Sequence, residues 1–201
     1  MPPVMMILAG PNGAGKSTLA TTAQGFFKAL GVDRFTKLNA DEKTLELRAE
    51  KPGVDLRTLN LEAANFIDGQ VEAMIEQGKS FLVETVLSSG KYRDDVEAAK
   101  AKGFAFILVY VSLHPPELSP ARVAVRVQKG GHNVDQVKAL ERYVKSHEEL
   151  EWFGKQADFV AIYDNSSPNG EPVKLYQREG GNTQHWEKGI NPSVDKAIKA
   201  F

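Results

Sequence analysis

Residues 10–18 read Gly-Pro-Asn-Gly-Ala-Gly-Lys-Ser-Thr. Gly10, Gly15, Lys16 and Ser17 stand at the fixed positions of G-x-x-x-x-G-K-[ST], a loop that cradles phosphate. The chemistry follows from residue type. Glycines let the backbone turn its N–H groups inward, so the cradle spans Gly10, Pro11, Asn12, Gly13, Ala14 and Gly15. Lys16 is placed to reach the β- and γ-phosphates of a nucleotide, and the Ser17 hydroxyl to ligate Mg²⁺. A helix opening at Lys16-Ser17-Thr18 adds its positive end. The ligands implied are ATP and Mg²⁺.

Three further groups carry chemistry. Asn39-Ala40-Asp41 closes the second apolar run, on a strand expected beside the phosphate loop. A carboxylate at Asp41 suits two roles. It can orient and deprotonate a hydroxyl acceptor for in-line attack, or it can cap a helix over Glu42–Glu50. Glu84 ends an apolar strand, which is costly without a partner. The Mg²⁺ shell, a substrate hydroxyl or a structural Lys or Arg would each serve. Thr85 and Ser88 add hydrogen-bonding groups beside it. Arg122 and Arg126 are four apart and share a helix face. They precede Gly130-Gly131-His132, and a further helix carries Arg142. A basic helix, a glycine hinge and another helix form a lid over about 116–150, whose arginines stabilise charge on a transferring phosphoryl group. Arg126 is favoured because it is nearest the hinge. His132 is a candidate substrate contact or a turn cap. Asp164-Asn165-Ser166-Ser167 reads as a turn on the adenine side.

The elements that must position these groups alternate strand with helix, the mark of a parallel α/β sheet. Strands are expected at Val4–Ala9, Phe35–Asn39, Ser80–Val86, Phe104–Leu113 and Phe159–Tyr163. Helices are expected at Lys16–Leu30, Leu59–Gln77, Tyr92–Lys102, Pro120–Lys129 and Asp135–Lys155. The expected fold is a three-layer P-loop domain over 1–201, with a mainly parallel central sheet and a helical lid. A strand–helix extension follows at 172–201: strand Pro172–Arg178, a turn at Glu179–Asn182 and helix Ser193–Ala200. In such sheets ligands sit beyond the C-terminal ends of the strands.

The bulk numbers set limits. A chain of 201 residues suits one substantial core. With 25 Lys+Arg against 26 Asp+Glu, the net charge of -1 argues against a general nucleic-acid binder. There is no cysteine, which fits a reducing cytoplasm and rules out thiolate chemistry. The first apolar run lacks a basic leader, and Phe104–Leu113 is too short to cross a bilayer.

Taken in order, Gly10–Thr18, Asn39-Ala40-Asp41, Glu84-Thr85 with Ser88-Ser89, Arg122–His132, Arg142-Tyr143 and Asp164-Asn165-Ser166 resemble the zeta-toxin family of P-loop kinases. The resemblance is greatest to its small stand-alone bacterial members and runs from Met5 to about Ser166. It implies ATP-dependent phosphorylation of a UDP-N-acetyl sugar such as UDP-N-acetylglucosamine, with an antitoxin protein as a partner. It implies a base at Asp41, sugar-nucleotide contacts at Glu84 and Thr85, and lid arginines at Arg126 and at Arg122 or Arg142. Three stretches depart from the family pattern, Ser146-His147-Glu148-Glu149-Leu150 among them. Val134-Asp135 stands where Val-Pro is frequent, and Glu141-Arg142 where a double arginine is usual.

Other readings share the loop. Leu87-Ser88-Ser89-Gly90-Lys91 imitates the signature loop of ABC-transporter ATPases. The strand after it, however, ends in Ser112-Leu113-His114 rather than an Asp-Glu pair. A kinase for another small molecule or a nucleic-acid end, and a nucleotide-binding switch without transfer, are the remaining alternatives.

Overall fold

β1 (Val4–Ala9) is buried along its whole length. Its side chains alternate between two cores: Met5, Ile7 and Ala9 enter one, Val4, Met6 and Leu8 the other. A strand apolar on both faces must lie inside a sheet covered on both sides. In the computed structural model that sheet has seven strands, ordered β2-β3-β1-β4-β5-β6-β7. The others are β2 (Thr36–Asn39), β3 (Phe81–Thr85), β4 (Ala105–Ser112), β5 (Phe159–Asp164), β6 (Val173–Glu179) and β7 (Asn182–Trp186). The pairings from β2 to β5 are parallel; β6 and β7 are antiparallel. The structure describes all residues except 1, 18, 20–24, 26, 29, 30, 33, 129–133 and 168–170.

Helices cover both faces. The phosphate loop leads into a helix described at Lys16, Ser17, Leu19, Gly25, Phe27 and Lys28. Leu19 and Phe27 fill one core from that helix. The opposite core takes Ile67, Val71, Met74 and Ile75 of α2 (Leu56–Glu76), a spacing that puts all four on one face. It also takes Val96 and Ala99 of α3 (Arg93–Ala101) and Leu150 and Phe153 of α5 (Gln136–Gln156). The remaining helices are α1 (Ala40–Glu50), α4 (Leu118–Gln128) and α6 (Pro192–Ile198).

The strand order corrects one expectation. β2 does not lie beside the loop strand; β3 stands between them. The register sets Asn39 opposite Glu84 and Glu84 opposite Leu8. With strands ~4.8 Å apart, Asp41 starts roughly 10 Å from the end of β1, and that gap lies over Glu84.

Local chemistry explains where other boundaries differ. α2 starts at Leu56, three residues earlier than its apolar period indicates. Asp55 caps it, accepting from the Thr58 N–H at 3.0 Å and the Thr58 hydroxyl at 2.6 Å. β7 is an additional strand. Gly180 (φ 53°) and Gly181 (φ 82°) make the two-residue left-handed turn that returns β6 on itself. Its side chains are mostly exposed, so no apolar alternation marks it. The extension is therefore strand–strand–helix.

That extension is anchored under the site. Asn191 caps α6 and is 1% exposed. Its amide donates to Asp164 Oδ2 (2.8 Å), Ser112 Oγ (2.9 Å) and the Leu113 carbonyl (3.2 Å). His147, on α5, completes the cluster. Burial pushes its pKa down to about 4, against upward pulls from its bond to Tyr143 and from Asp164, so the ring is neutral at physiological pH. The Tyr143 carbonyl accepts from Nδ1 at 2.8 Å, which leaves Nε2 to accept from Ser112 Oγ at 2.7 Å. Asn191→Ala should strand these buried acceptors and cost about 1–3 kcal/mol for the lost donor. A urea melt with an unchanged midpoint would show that the cluster does not bind the tail.

Candidate active site

The phosphate loop is shaped by what lies beneath it. Gly10 has φ +143°, and a Cβ there would sit 2.0 Å from the Val111 carbonyl oxygen. Gly15 has φ +86°, and its Cβ would meet Asn165 Nδ2 at 2.5 Å. Both positions therefore require glycine. Two side chains hold the loop from below. Ser119, fully buried at the start of α4, donates to the Asn12 carbonyl at 2.8 Å. Asn165 donates to the Ala14 carbonyl at 2.9 Å. Asp164-Asn165-Ser166 is indeed a turn, closed by the Ser166 N–H on Asp164 Oδ1 at 2.9 Å. Sequence reasoning placed Asn165 in this turn but did not foresee that it and Ser119 hold the loop. Neither lies in the motif, and only the packing shows their work.

Lys16 leads out of the loop with its ammonium folded back, donating to the Gly10 carbonyl at 2.9 Å and the Pro11 carbonyl at 3.2 Å. The residue is half-buried and lines the wall of the cleft. Burial lowers its pKa from the ordinary lysine value; Glu84 and Asp41 raise it, and Arg126 lowers it again. A cation above a glycine cradle that Cβ atoms would fill is the donor set a polyphosphate needs.

Glu84 gathers the other side. Its carboxylate is 8% exposed. Oε1 accepts from Ser17 Oγ at 3.1 Å, and Oε2 from Asn39 Nδ2 at 2.9 Å. Lys37 Nζ lies 3.8 Å away and also pairs with Glu42. Among the described residues no group of three His, Asp or Glu side chains is arranged to hold a metal alone. Ser17 with Glu84 fits Mg²⁺ of the kind completed by phosphate oxygens and water.

Asp41 is not the helix cap. Asn39 is: its Oδ1 accepts from the N–H of Asp41 (2.8 Å) and of Glu42 (3.2 Å). Asp41 sits in the first turn of α1, exposed, and its carboxylate accepts no hydrogen bond from another described residue. The cleft over these groups has a volume of about 700 Å³. Lys16, Ser17, Asp41, Glu84, Thr85 and Ser88 line it, with Arg122, Arg126 and Arg142. Gly13, Gly15 and Asn12 line it too, whereas Gly10, Pro11 and Ala14 do not. The three arginines differ. Arg122 donates to the carbonyls of Ser166 and Ser167, each at 3.2 Å, which draws it toward the turn after β5. Arg126 acts electrostatically on Lys16, and Arg142 enters from the exposed side of α5. Thr18 and His132 lie outside the described residues, as do Gly130 and Gly131. Asp135, which replaces the frequent proline, caps α5 by accepting from the Lys138 N–H at 3.1 Å. Lys91 and Tyr92 also line the cleft, and neither was a candidate site residue in the sequence.

The model of the family described as zeta toxin matches residues 1–188. The chain belongs to the zeta toxin family. Its fold is that of the P-loop kinases. An uncharacterized protein of Haemophilus influenzae is 27% identical over 134 residues, covering 67% of this chain and 88% of that protein. A chain of the AvrRxo1-ORF1:-ORF2 structure with ATP superposes with a TM-score of 0.74 at 17% identity, covering 99% of this chain. This zeta toxin family member spans 63% of the length of that chain. A chain of the PezAT chromosomal toxin–antitoxin system of Streptococcus pneumoniae gives a TM-score of 0.62 at 17% identity, covering 98% of this chain and 83% of that one. Among the described residues no helix is long and apolar enough to cross a membrane.

Lys16→Ala separates ligand chemistry from structure. The charged form of Lys16 is the one burial penalises. That penalty is full below the folded-state pKa and is lost as pH rises from there to the ordinary lysine value. The variant should therefore unfold no earlier than wild type without nucleotide, yet turn over at least ~100-fold more slowly. Wild-type turnover would reject the assignment of Lys16 to the phosphates.

Proposed function

We propose that this chain transfers the γ-phosphate of ATP to a hydroxyl of a UDP-N-acetyl sugar such as UDP-N-acetylglucosamine. One observation carries the proposal: the phosphate cradle and the exposed carboxylate of Asp41 share one cleft and stand on opposite sides of Glu84. Phosphoryl transfer needs charge neutralised on one side and a hydroxyl aligned on the other. The cleft divides in that way. Lys16, Arg126 and Arg142 supply positive charge, while Asp41, Glu42 and Glu84 lie toward β2 and β3. A volume of about 700 Å³ leaves room for an acceptor beside a nucleotide's phosphates.

Each side chain then has a task. The loop N–H groups and Lys16 bind the phosphates. Ser17 and Glu84 hold Mg²⁺, which when bound neutralises charge on the phosphate oxygens. Arg126 meets the charge that spreads over the phosphoryl oxygens during transfer, with Arg142 or Arg122 as the second arginine. Thr85 and Ser88 bind the acceptor. Asp41 aligns its hydroxyl and takes the proton late, since positioning is the larger part of the catalysis. The AvrRxo1 structure with ATP supports ATP as donor, and the family supports the sugar nucleotide. PezAT is a toxin–antitoxin system and AvrRxo1-ORF1 is solved with ORF2, which supports a protein partner for this chain. The absence of cysteine supports a cytoplasmic setting.

Two variants test the division of labour. Asp41→Asn keeps size and a hydrogen-bonding oxygen but cannot take a proton. It should bind ATP as wild type does and lose transfer by about 10²–10⁴-fold. Arg126→Lys keeps charge but loses the planar fork, so turnover should stay low with little change in the ATP constant. Equal transfer by wild type and Asp41→Asn would remove the base. Transfer to another hydroxyl compound, with none to UDP-sugars, would keep the kinase and discard the acceptor.

A further inference from the structure

Asn39 takes part in none of the steps above, yet its side chain is engaged at both ends. Oδ1 accepts from the N–H groups of Asp41 and Glu42, at 2.8 and 3.2 Å. Nδ2 donates to Glu84 Oε2 at 2.9 Å. Capping alone does not call for asparagine, because serine and aspartate cap a helix as well. An amide differs in offering an acceptor and a donor on one rigid plane. Aspartate would keep the cap but set a second carboxylate against Glu84. Serine would keep the cap but is too short to reach Glu84 as well. Lys37 also faces Glu84, at 3.8 Å, but on a flexible stem that it shares with Glu42. It supplies charge to the carboxylate without fixing direction.

We propose that Asn39 is a positioning residue: its amide locks the first turn of α1 to Glu84 and so fixes Asp41 relative to the phosphate loop. The link is short and continuous. Ser17 donates to Glu84, Glu84 accepts from Asn39, and Asn39 accepts from the N–H of Asp41 itself. The first bond joins the helix after β1 to β3, the second joins β3 to β2, and the third is local to the start of α1; the β2–β3–β1 register brings these strand ends into one row. The inference rests on the reading of Asp41 as the group that aligns the acceptor.

The test is a double-mutant cycle on the full chain. Turnover is measured as total γ-phosphate leaving ATP-Mg²⁺, to UDP-N-acetylglucosamine and to water together. Asn39→Ser should keep α1 folded because the cap survives, with a modestly lower melting temperature because Glu84 loses one donor. It should keep the ATP constant and lose about 10- to 100-fold in kcat, the range typical of residues that orient a reacting group. Asn39→Asp should lose at least as much. In an Asp41→Asn background, Asn39→Ser should cost little more, because both act on one geometry. Wild-type kcat in Asn39→Ser or Asn39→Asp would overturn the inference, as would losses that simply multiply. If Asp41→Asn itself turns over normally, the reading of Asp41 fails first, and a slow Asn39→Ser then shows Asn39 working through another group.

Discussion

The Glu84 carboxylate is the constraint around which the site is organised. It ends a strand that is buried between β2 and β1, and its own side chain is almost fully covered. A carboxylate in that setting must be hydrogen-bonded or it destabilises the fold. The bonds it accepts come from Ser17, on the helix after the loop, and Asn39, at the end of β2. Satisfying one buried carboxylate thus ties together the three strand ends that carry the phosphate loop, Glu84 itself and Asp41. Had β2 lain directly beside β1, Asp41 would crowd the phosphates. With β3 between them, Asp41 stands a strand's width further away, which is room for the proposed acceptor.

The underside of the cleft is held as firmly as its rim. Gly10 and Gly15 allow the loop to press onto Val111 and Asn165, and Ser119 grips it from α4. The turn carrying Asn165 begins at Asp164, which is held by Asn191 at the start of α6. The C-terminal tail is in this way part of the loop's foundation. α5 links the same foundation to the rim. Arg142 enters the cleft, and one turn on Ser146 donates to the Val86 carbonyl at 2.6 Å, with Tyr110 at 2.9 Å from its hydroxyl. That bond steadies the turn at Leu87, a buried non-glycine residue at φ 56°. Left-handed backbone at such a residue is unfavourable and persists where its surroundings hold it. Here it turns the chain so that Thr85, Val86 and Ser88 line the cleft.

Much of this was legible in the residues. The loop announced itself because its chemistry needs fixed residue types at fixed spacing. β1 and β4 were plain because parallel strands buried on both faces read as unbroken apolar runs. Asp41 and Glu84 were legible because they stand at strand ends, where ligands bind in this architecture, and Arg122 and Arg126 because they share a helix face before a glycine pair. What stayed hidden depends on contacts distant in sequence. Asn165 and Ser119 are ordinary polar residues until the loop is packed on them. Asn39 was visible only as a neighbour of Asp41, because its second bond crosses to another strand. The strand order could not be read from apolar runs, which give strands but not their neighbours. β7 left no pattern, since little of it is buried.

The most direct measurement is a crystal structure of the chain with a non-hydrolysable ATP analogue, Mg²⁺ and UDP-N-acetylglucosamine. The phosphates should lie on Gly10–Ser17, and one sugar hydroxyl should lie within about 2.6–3.2 Å of the Asp41 carboxylate and in line with the γ-phosphorus. Asn39 should still bridge Glu84 to the start of α1. A sugar nucleotide bound away from Asp41, or an Asp41 carboxylate turned to solvent with the hydroxyl aligned by another residue, would contradict the placement of donor and acceptor on either side of Glu84.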